Sequence, residues 1–242
     1  MKKICFVVSS PMYAVAFLAP HFLALQSDHD LNVADNTPDT GLLRRLGVDV
    51  DIDPVPIERA IRPLRDLLAL WNLYRLFRRQ HFDAVHSITP KAGLLAKRAA
   101  WLARVPVPVR VHWFTRQVWA TKTGLGHWGL KQADRLIAVL ATHALLDSPS
   151  QRDFLVAEGV VDGTRAEVLA GDSVCGVDGA RFRPDAGARS AVSGELGIPD
   201  SAVLLLYLGR LNRYESIPAA GRSVARSCVH ARFMGKTCRM PR

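Results

Sequence analysis

Short apolar runs alternate with longer amphipathic stretches along this chain. Lys3–Val8 is apolar and ends at Ser-Ser-Pro, the pattern of a buried parallel strand. Tyr13–Gln26 carries apolar residues at helical spacing; Asp30–Asp35 reads as a strand, and Gly41–Leu46 as a short helix closed by Gly47. Val48–Ile52 alternates like a strand. Leu64–Arg79 reads as a helix whose stripe is Leu64, Leu67, Leu68, Trp71, Tyr74 and Phe77, with Arg65, Arg75, Arg78 and Arg79 largely off it. Asp83–His86 is a brief strand and Lys91–Ala103 a helix. Val107–Phe114 is the next strand, opened by the Pro106/Pro108 loop. His127–Thr142 is amphipathic, His143–Asp147 a strand, and Ser148–Glu158 a helix with a serine cap, ending at Gly159.

Repeated strand–helix units of this length predict an α/β fold, a Rossmann-like parallel sheet with helices on both faces. Such sheets bind ligands beyond the carboxyl ends of their strands, so the loops Ser9–Tyr13, Ser87–Lys91 and Phe114–Gly126 are where chemistry is expected. This first domain is expected over residues 1–170. A Gly-, Asp- and Pro-rich linker follows over 171–188. Residues 189–213 read as the start of a second Rossmann-like domain, with a helix over Arg189–Leu196 and a buried strand over Val203–Gly209. After Asn212 leucine disappears and no period replaces it, so residues 214–242 read as an out-of-frame tail.

Composition is that of an ordinary globular protein, 49% hydrophobic and 22% charged. The net charge of +10 is uneven: Tyr214–Arg242 holds six Lys/Arg against Glu215, giving +5, half the total. That tail invites a nucleic-acid reading, but no recognised motif or aromatic–basic interleaving supports it. Cys5, Cys175, Cys228 and Cys238 lie far apart without metal-ligand spacing, which fits a cytoplasmic compartment and no structural zinc. Lys2 and Lys3 before an apolar run resemble a secretion signal, but Ser9, Ser10 and Pro11 interrupt it after a few residues. No apolar run reaches the ~20 residues of a membrane-spanning helix.

Three segments carry a resemblance. The first is His86–Leu95 (HSITPKAGLL) with Val109–Trp119 (VRVHWFTRQVW). The second is Asp147–Leu155 (DSPSQRDFL). The third is Ser173–Pro184 (SVCGVDGARFRP), running on to Tyr207–Asn212 (YLGRLN). Their order and spacing resemble the family 4 glycosyltransferases that build bacterial cell-surface polysaccharides. The resemblance implies a GT-B architecture: an acceptor-side Rossmann-like domain facing a donor-binding one. It implies sugar transfer from a nucleotide-sugar donor to a lipid-linked or glycan acceptor, without metal or cofactor. Three departures stand out: Arg116 where relatives commonly have Gly, Gly171-Asp172-Ser173 in place of a Gly-Ser pair, and no lysine–glycine pair or paired glutamates after Arg210. A chain lacking them is expected to be inactive by itself.

The resemblance and the strand ends together nominate site residues. Arg210 would stabilise the departing phosphate, or it is a plain strand-end arginine. His112 would face the transferred sugar, or it is a core histidine satisfied by its neighbours. Ser87, Thr89 and Lys91 open a helix and suit an acceptor diphosphate, unless Thr89 simply caps that helix. Thr115, Gln117 and Trp119 form a polar–aromatic loop in which Trp119 either stacks on a sugar or packs inside. The basic helix Arg62–Arg79 either lies against an anionic membrane or is solvated. A non-catalytic Rossmann-like binding module is the competing reading, weakened by the absence of GxGxxG after the first strand.

Overall fold

The computed structural model describes residues 1–58, 60–103, 108–169, 174–180 and 182–199, and the backbone of 231–233 and 236–238. The chain divides into two compact units, Met1–Gly179 and Ala180–Arg242.

The first unit is built on seven parallel strands: β1 (Lys2–Val7), β2 (His29–Asp35), β3 (Asp51–Pro54), β4 (Ala84–Ile88), β5 (Val109–Phe114), β6 (His143–Leu146) and β7 (Ala166–Val168). Their order is β3-β2-β1-β4-β5-β6-β7, every neighbouring pair parallel. The order reverses between β1 and β4, which opens a crevice at their carboxyl ends. Parallel strands need covered faces, and the helices supply the cover. Between β1 and β2 run α1 (Pro11–Tyr13), a π-helical turn (Ala14–Leu18) and α2 (Ala19–Leu25). The later crossovers are α3 (Pro63–Gln80), α4 (Pro90–Leu102), α5 (Gly124–Leu140) and α6 (Pro149–Ala157).

Alternation along β1 splits the core. Cys5 and Val7 pack with Val85 against Ala69, Leu73 and Phe77 of α3 and Ala92, Ala96 and Ala99 of α4. Phe6 and Val8 face the opposite way, toward Leu18, Phe22 and Trp113. A third cluster gathers Phe114, Trp119, Ile137, Leu146 and Leu155. α3 packs on α4 and α4 on α5, so the three helices lie side by side. Each follows a strand of a parallel sheet, which puts all three N-termini at the carboxyl edge.

Two expectations shift. The third strand is Asp51–Pro54 rather than Val48–Ile52, since Asp51 pairs with Asn32 and Val48 joins the core from a loop. The stripe expected to bury α3 holds only at its C-terminal end: Phe77 is buried and Tyr74 packs against the core, but Leu64, Leu67, Leu68 and Trp71 are exposed, and Ala69 and Leu73 face the core in their place. This helix has apolar residues on two faces. Its small Ala69 lets it approach α4, so packing chose the face that the count of large side chains did not.

In the second unit, α7 (Ala186–Leu196) is capped by the Asp185 carboxylate, which accepts from the Ala188 N–H, and ends at Gly197 with φ 63°. β8 (Ala231–Phe233) and β9 (Lys236–Cys238) form an antiparallel pair in the segment read as lacking strand periodicity. The expected strand Val203–Gly209, and Arg210 with it, lies outside the described residues.

Candidate functional site

At the crevice the hydroxyls of Ser9, after β1, and Thr89, after β4, meet at 3.2 Å, both buried. Thr89 holds φ 74° and ψ 139°, a backbone conformation rare for a side chain branched at Cβ. It occupies the N-cap position of α4, yet its side chain makes no capping bond there. Pro90 follows as the first helical residue. The hydroxyl is therefore turned to Ser9 across the crevice, and the strain sits where a ligand would be met. Among the described residues the first amides of α4 without a backbone acceptor are those of Lys91 and Ala92, because Pro90 has none and Gly93 N–H donates to the Thr89 carbonyl.

Lys91 is not aimed at that opening. Its ammonium pairs with Asp66 at 2.5 Å and donates to the Ala60 carbonyl, tying α4 to the start of α3. Ser87 also faces inward: fully buried, its Oγ lies 2.9 Å from His112 Nδ1. His112 is only 1% exposed, and its ring stands edge-on to Phe114 at 4.5 Å. A Cβ placed on Gly93 would come within 2.4 Å of the imidazole, so glycine is what admits the ring beneath the first turn of α4. Burial, then the charges of Lys97 and His86, hold His112 well below the usual histidine range. It is a neutral ring supporting α4 from below, and the expectation that it faces a sugar directly is corrected by its enclosure.

Lys97 lies under the same strands. It is fully buried and donates to the carbonyls of Val85 at 3.2 Å and Val111 at 2.8 Å. Burial first, and Arg110 second, depress its ammonium to about 7. His86, stacked on Trp113 with centroids 5.9 Å apart, is pushed down to about 3, chiefly by burial.

The loop after β5 is organised by a residue that sequence reading passed over. Gln151, in the first turn of α6, donates from Nε2 to the Thr115 carbonyl (3.0 Å) and to Gln117 Oε1 (3.3 Å). Its Oε1 accepts from the Asp147 N–H at 2.7 Å. Gln117 keeps a buried Nε2 with no hydrogen-bond partner among the described residues. Trp119 is inside: its indole N–H donates to Asp134 at 2.8 Å and its ring stacks on Phe154. The expected sugar platform is thus the loop's anchor, because a buried indole finds its partner within the domain. Asp134, largely buried, is raised to about 6.

Asp35, at the end of β2, was also passed over. It is 1% exposed, accepts from the Asn36 N–H, and is raised to about 6 by burial. Nothing in the period-2 pattern distinguishes it from an ordinary strand-ending aspartate. Among the described residues no cluster of three or more His, Cys, Asp or Glu could hold a metal ion.

Residues 14–171 match the model of the glycosyl transferase 4-like domain. The chain belongs to that family. It is 27% identical over 154 residues to an Escherichia coli UDP-Gal:α-D-GlcNAc-diphosphoundecaprenol α-1,3-galactosyltransferase, an alignment spanning 63% of this chain and 38% of the relative. Among solved structures, sucrose-phosphate synthase from Thermosynechococcus elongatus superposes with TM-score 0.64 at 14% identity, over 93% of this chain and 60% of that one. Anabaena HepE, solved with UDP and glucose, gives 0.54 at 15%, over 81% and 50%. A UDP-GlcNAc 2-epimerase from Methanocaldococcus jannaschii gives 0.54 at 14%, over 72% and 46%. At such identities these structures establish the Rossmann-like GT-B fold, which transferases and epimerases share. The chain spans 38% to 60% of the length of these relatives.

Proposed function

We propose that this chain is the acceptor-side part of a glycosyltransferase that moves a hexosyl unit from a nucleotide-sugar donor to a lipid-linked or glycan acceptor in cell-surface polysaccharide synthesis. In that reaction an acceptor hydroxyl oxygen bonds to the anomeric carbon as the bond to the diphosphate breaks, and the nucleoside diphosphate leaves, its oxygen taking up the hydroxyl proton. The observation that carries the reading is the crevice between β1 and β4, where Ser9 and the strained Thr89 meet at the start of α4 in a family-matched domain. Two hydroxyls and the amides of Lys91 and Ala92 are donors suited to an acceptor's phosphate. Thr115 and Gln117, fixed by Gln151, would line the loop toward the sugar. Ser87 and His112 would hold α4 in place, and Lys91 would do so through Asp66.

Arg210 would contribute a cation to the leaving diphosphate, and the chain by itself would show negligible transfer. The curated relative's name specifies a diphosphoundecaprenol acceptor, which favours a polyprenyl-diphosphate acceptor here, met in the cytoplasm at the inner membrane surface. Nucleic acid is not among the proposed partners.

Calorimetric titration of the chain with a short-chain polyprenyl-diphosphate GlcNAc tests this. Binding is expected, and it should weaken about tenfold in Ser9→Ala and Thr89→Val, by loss of hydrogen bonds to a charged group. Absence of binding, or binding indifferent to both variants, would refute the acceptor-side assignment.

A further inference from the structure

Among the described residues, five side chains keep a buried nitrogen or oxygen without a hydrogen-bond partner, and of these only Asp35 is itself buried. Its Oδ1 accepts from the Asn36 N–H, while Oδ2 is left open. The backbone donors around it are committed elsewhere. The Val8 N–H goes to the Ala34 carbonyl, the Val55 N–H to the Asp35 carbonyl, and the Asp39 N–H to Thr37 Oγ1. No cation among the described residues pairs with the carboxyl, and burial raises it to about 6. At neutral pH it is an enclosed, ionised group with one oxygen unsatisfied, which costs stability unless a ligand completes it.

Asp35 also stands beside the crevice. It ends β2 at the carboxyl edge, and β2 pairs with β1, which continues into Val8 and Ser9. Neighbouring strands lie about 5 Å apart, so the carboxyl is one strand away from the Ser9–Thr89 pair. Alternation along β2 turns Ala34 toward α3 and α4 and Val33 toward α2, and Asp35 shares the face of Val33. The turn from β1 onto that face is α1, three residues long, begun by Ser10 without a side-chain cap and burying none of its own side chains. The π-helical turn follows it directly. A segment held so lightly yields to an arriving ligand, and π-helical turns recur at functional sites.

We infer that Asp35 is a specificity-determining residue of the acceptor site, its Oδ2 accepting a hydrogen bond from a hydroxyl of the sugar carried on the acceptor diphosphate. Charge separates the two halves of that ligand. A carboxylate repels a diphosphate, which suits the Ser9 and Thr89 hydroxyls and the α4 amides instead. The same carboxylate accepts from a neutral hydroxyl at charge-assisted strength. One hexose ring bridges a distance of the order of one strand spacing, so phosphate at Ser9–Thr89 and sugar at Asp35 fit a single molecule. The inference rests on the acceptor reading above and adds to it the group that reads the acceptor's sugar.

Calorimetric titration of the full chain with two probes tests it: a short-chain polyprenyl diphosphate bearing GlcNAc, and the same polyprenyl diphosphate without the sugar. The parent protein should bind both. Asp35→Asn, which keeps the shape and the bond to the Asn36 N–H, should weaken the GlcNAc-bearing probe by about tenfold and leave the bare diphosphate within about twofold. Asp35→Ala should show the same selectivity, with no amide left to stand in for the carboxylate. Ser9→Ala should weaken both probes. In the absence of ligand, Asp35→Asn should raise the urea midpoint at neutral pH, because the enclosed charge is gone. A carboxylate serving the fold alone would give a lower midpoint and no selectivity between the probes. Equal loss on both probes, no loss on either, or a lowered midpoint overturns the role of Asp35 and leaves the acceptor reading in place. Failure of the parent protein to bind either probe overturns the acceptor reading, and this role with it.

Discussion

Replacing Lys97 by methionine should stabilise the protein at neutral pH, and the advantage should fade as the solution becomes alkaline. The ammonium is buried under β4 and β5 and falls from 10.5 to about 7 in the fold. A base whose folded pKa is depressed binds fewer protons folded than unfolded, so stability rises with pH between about 7 and 10.5. Below that window the cost of burying the charge is present in full. At about 1.4 kcal/mol per pKa unit, the cost is on the order of 4 kcal/mol at pH 7 and roughly 1 kcal/mol at pH 9.5. Methionine keeps the length, carries no proton, and gives up the bonds to the Val85 and Val111 carbonyls, a loss of about 1 kcal/mol each at either pH. The gap between variant and parent should therefore narrow by about 3 kcal/mol from pH 7 to pH 9.5. Urea unfolding followed by tryptophan fluorescence at the two pH values measures it, and comparing the two proteins cancels every other titrating group to first order. A gap that stays constant would show that Lys97 remains charged in the fold across this window, with its pKa unshifted as if it reached water, and would contradict its enclosure beneath β4 and β5.

Gly93→Ala tests the seat of His112. Alanine normally favours a helix by about 1 kcal/mol over glycine, but here its methyl meets the imidazole, so a loss of about 1–3 kcal/mol in denaturant unfolding is expected. Gly93→Ala/His112→Ala should recover much of it, and a stabilised single variant would contradict the packing. Thr89→Gly should gain roughly 1 kcal/mol in thermal unfolding by relieving the backbone at φ 74°, while weakening acceptor titration. A loss of stability would mean that the Ser9–Thr89 contact outweighs the strain.

The sheet was legible because a parallel strand buried on both faces has to be nearly continuously apolar, and a run such as Ile4–Val8 leaves few other readings. The loops at the carboxyl edge followed from that. Which side chains in those loops face outward was not legible. His112, Ser87 and Trp119 have the chemistry of a site and the addresses of one, yet each is turned inward by a contact far away in sequence: Gly93, His112 itself, and Asp134. α3 failed for a related reason, since two apolar faces satisfy the same periodicity and only the neighbour decides between them. Gln151 lies within Asp147–Leu155 but gave no signal, because a glutamine in a first helical turn looks like any solvated residue.

Gln151 is the side chain through which the loops after β5 and β6 share one fastening. A single carboxamide holds the Thr115 carbonyl, the Gln117 side chain and the Asp147 amide, and its own amide is held by Ser148 Oγ at 3.2 Å. The two loops consequently lack independent degrees of freedom. A drift in the length or composition of one must be tolerated by the other, and both are indexed to the first turn of α6. Variation in sugar preference among homologues of this domain would then accumulate at Arg116 and Val118, which point outward between the fastened positions, rather than at Thr115 or Gln117.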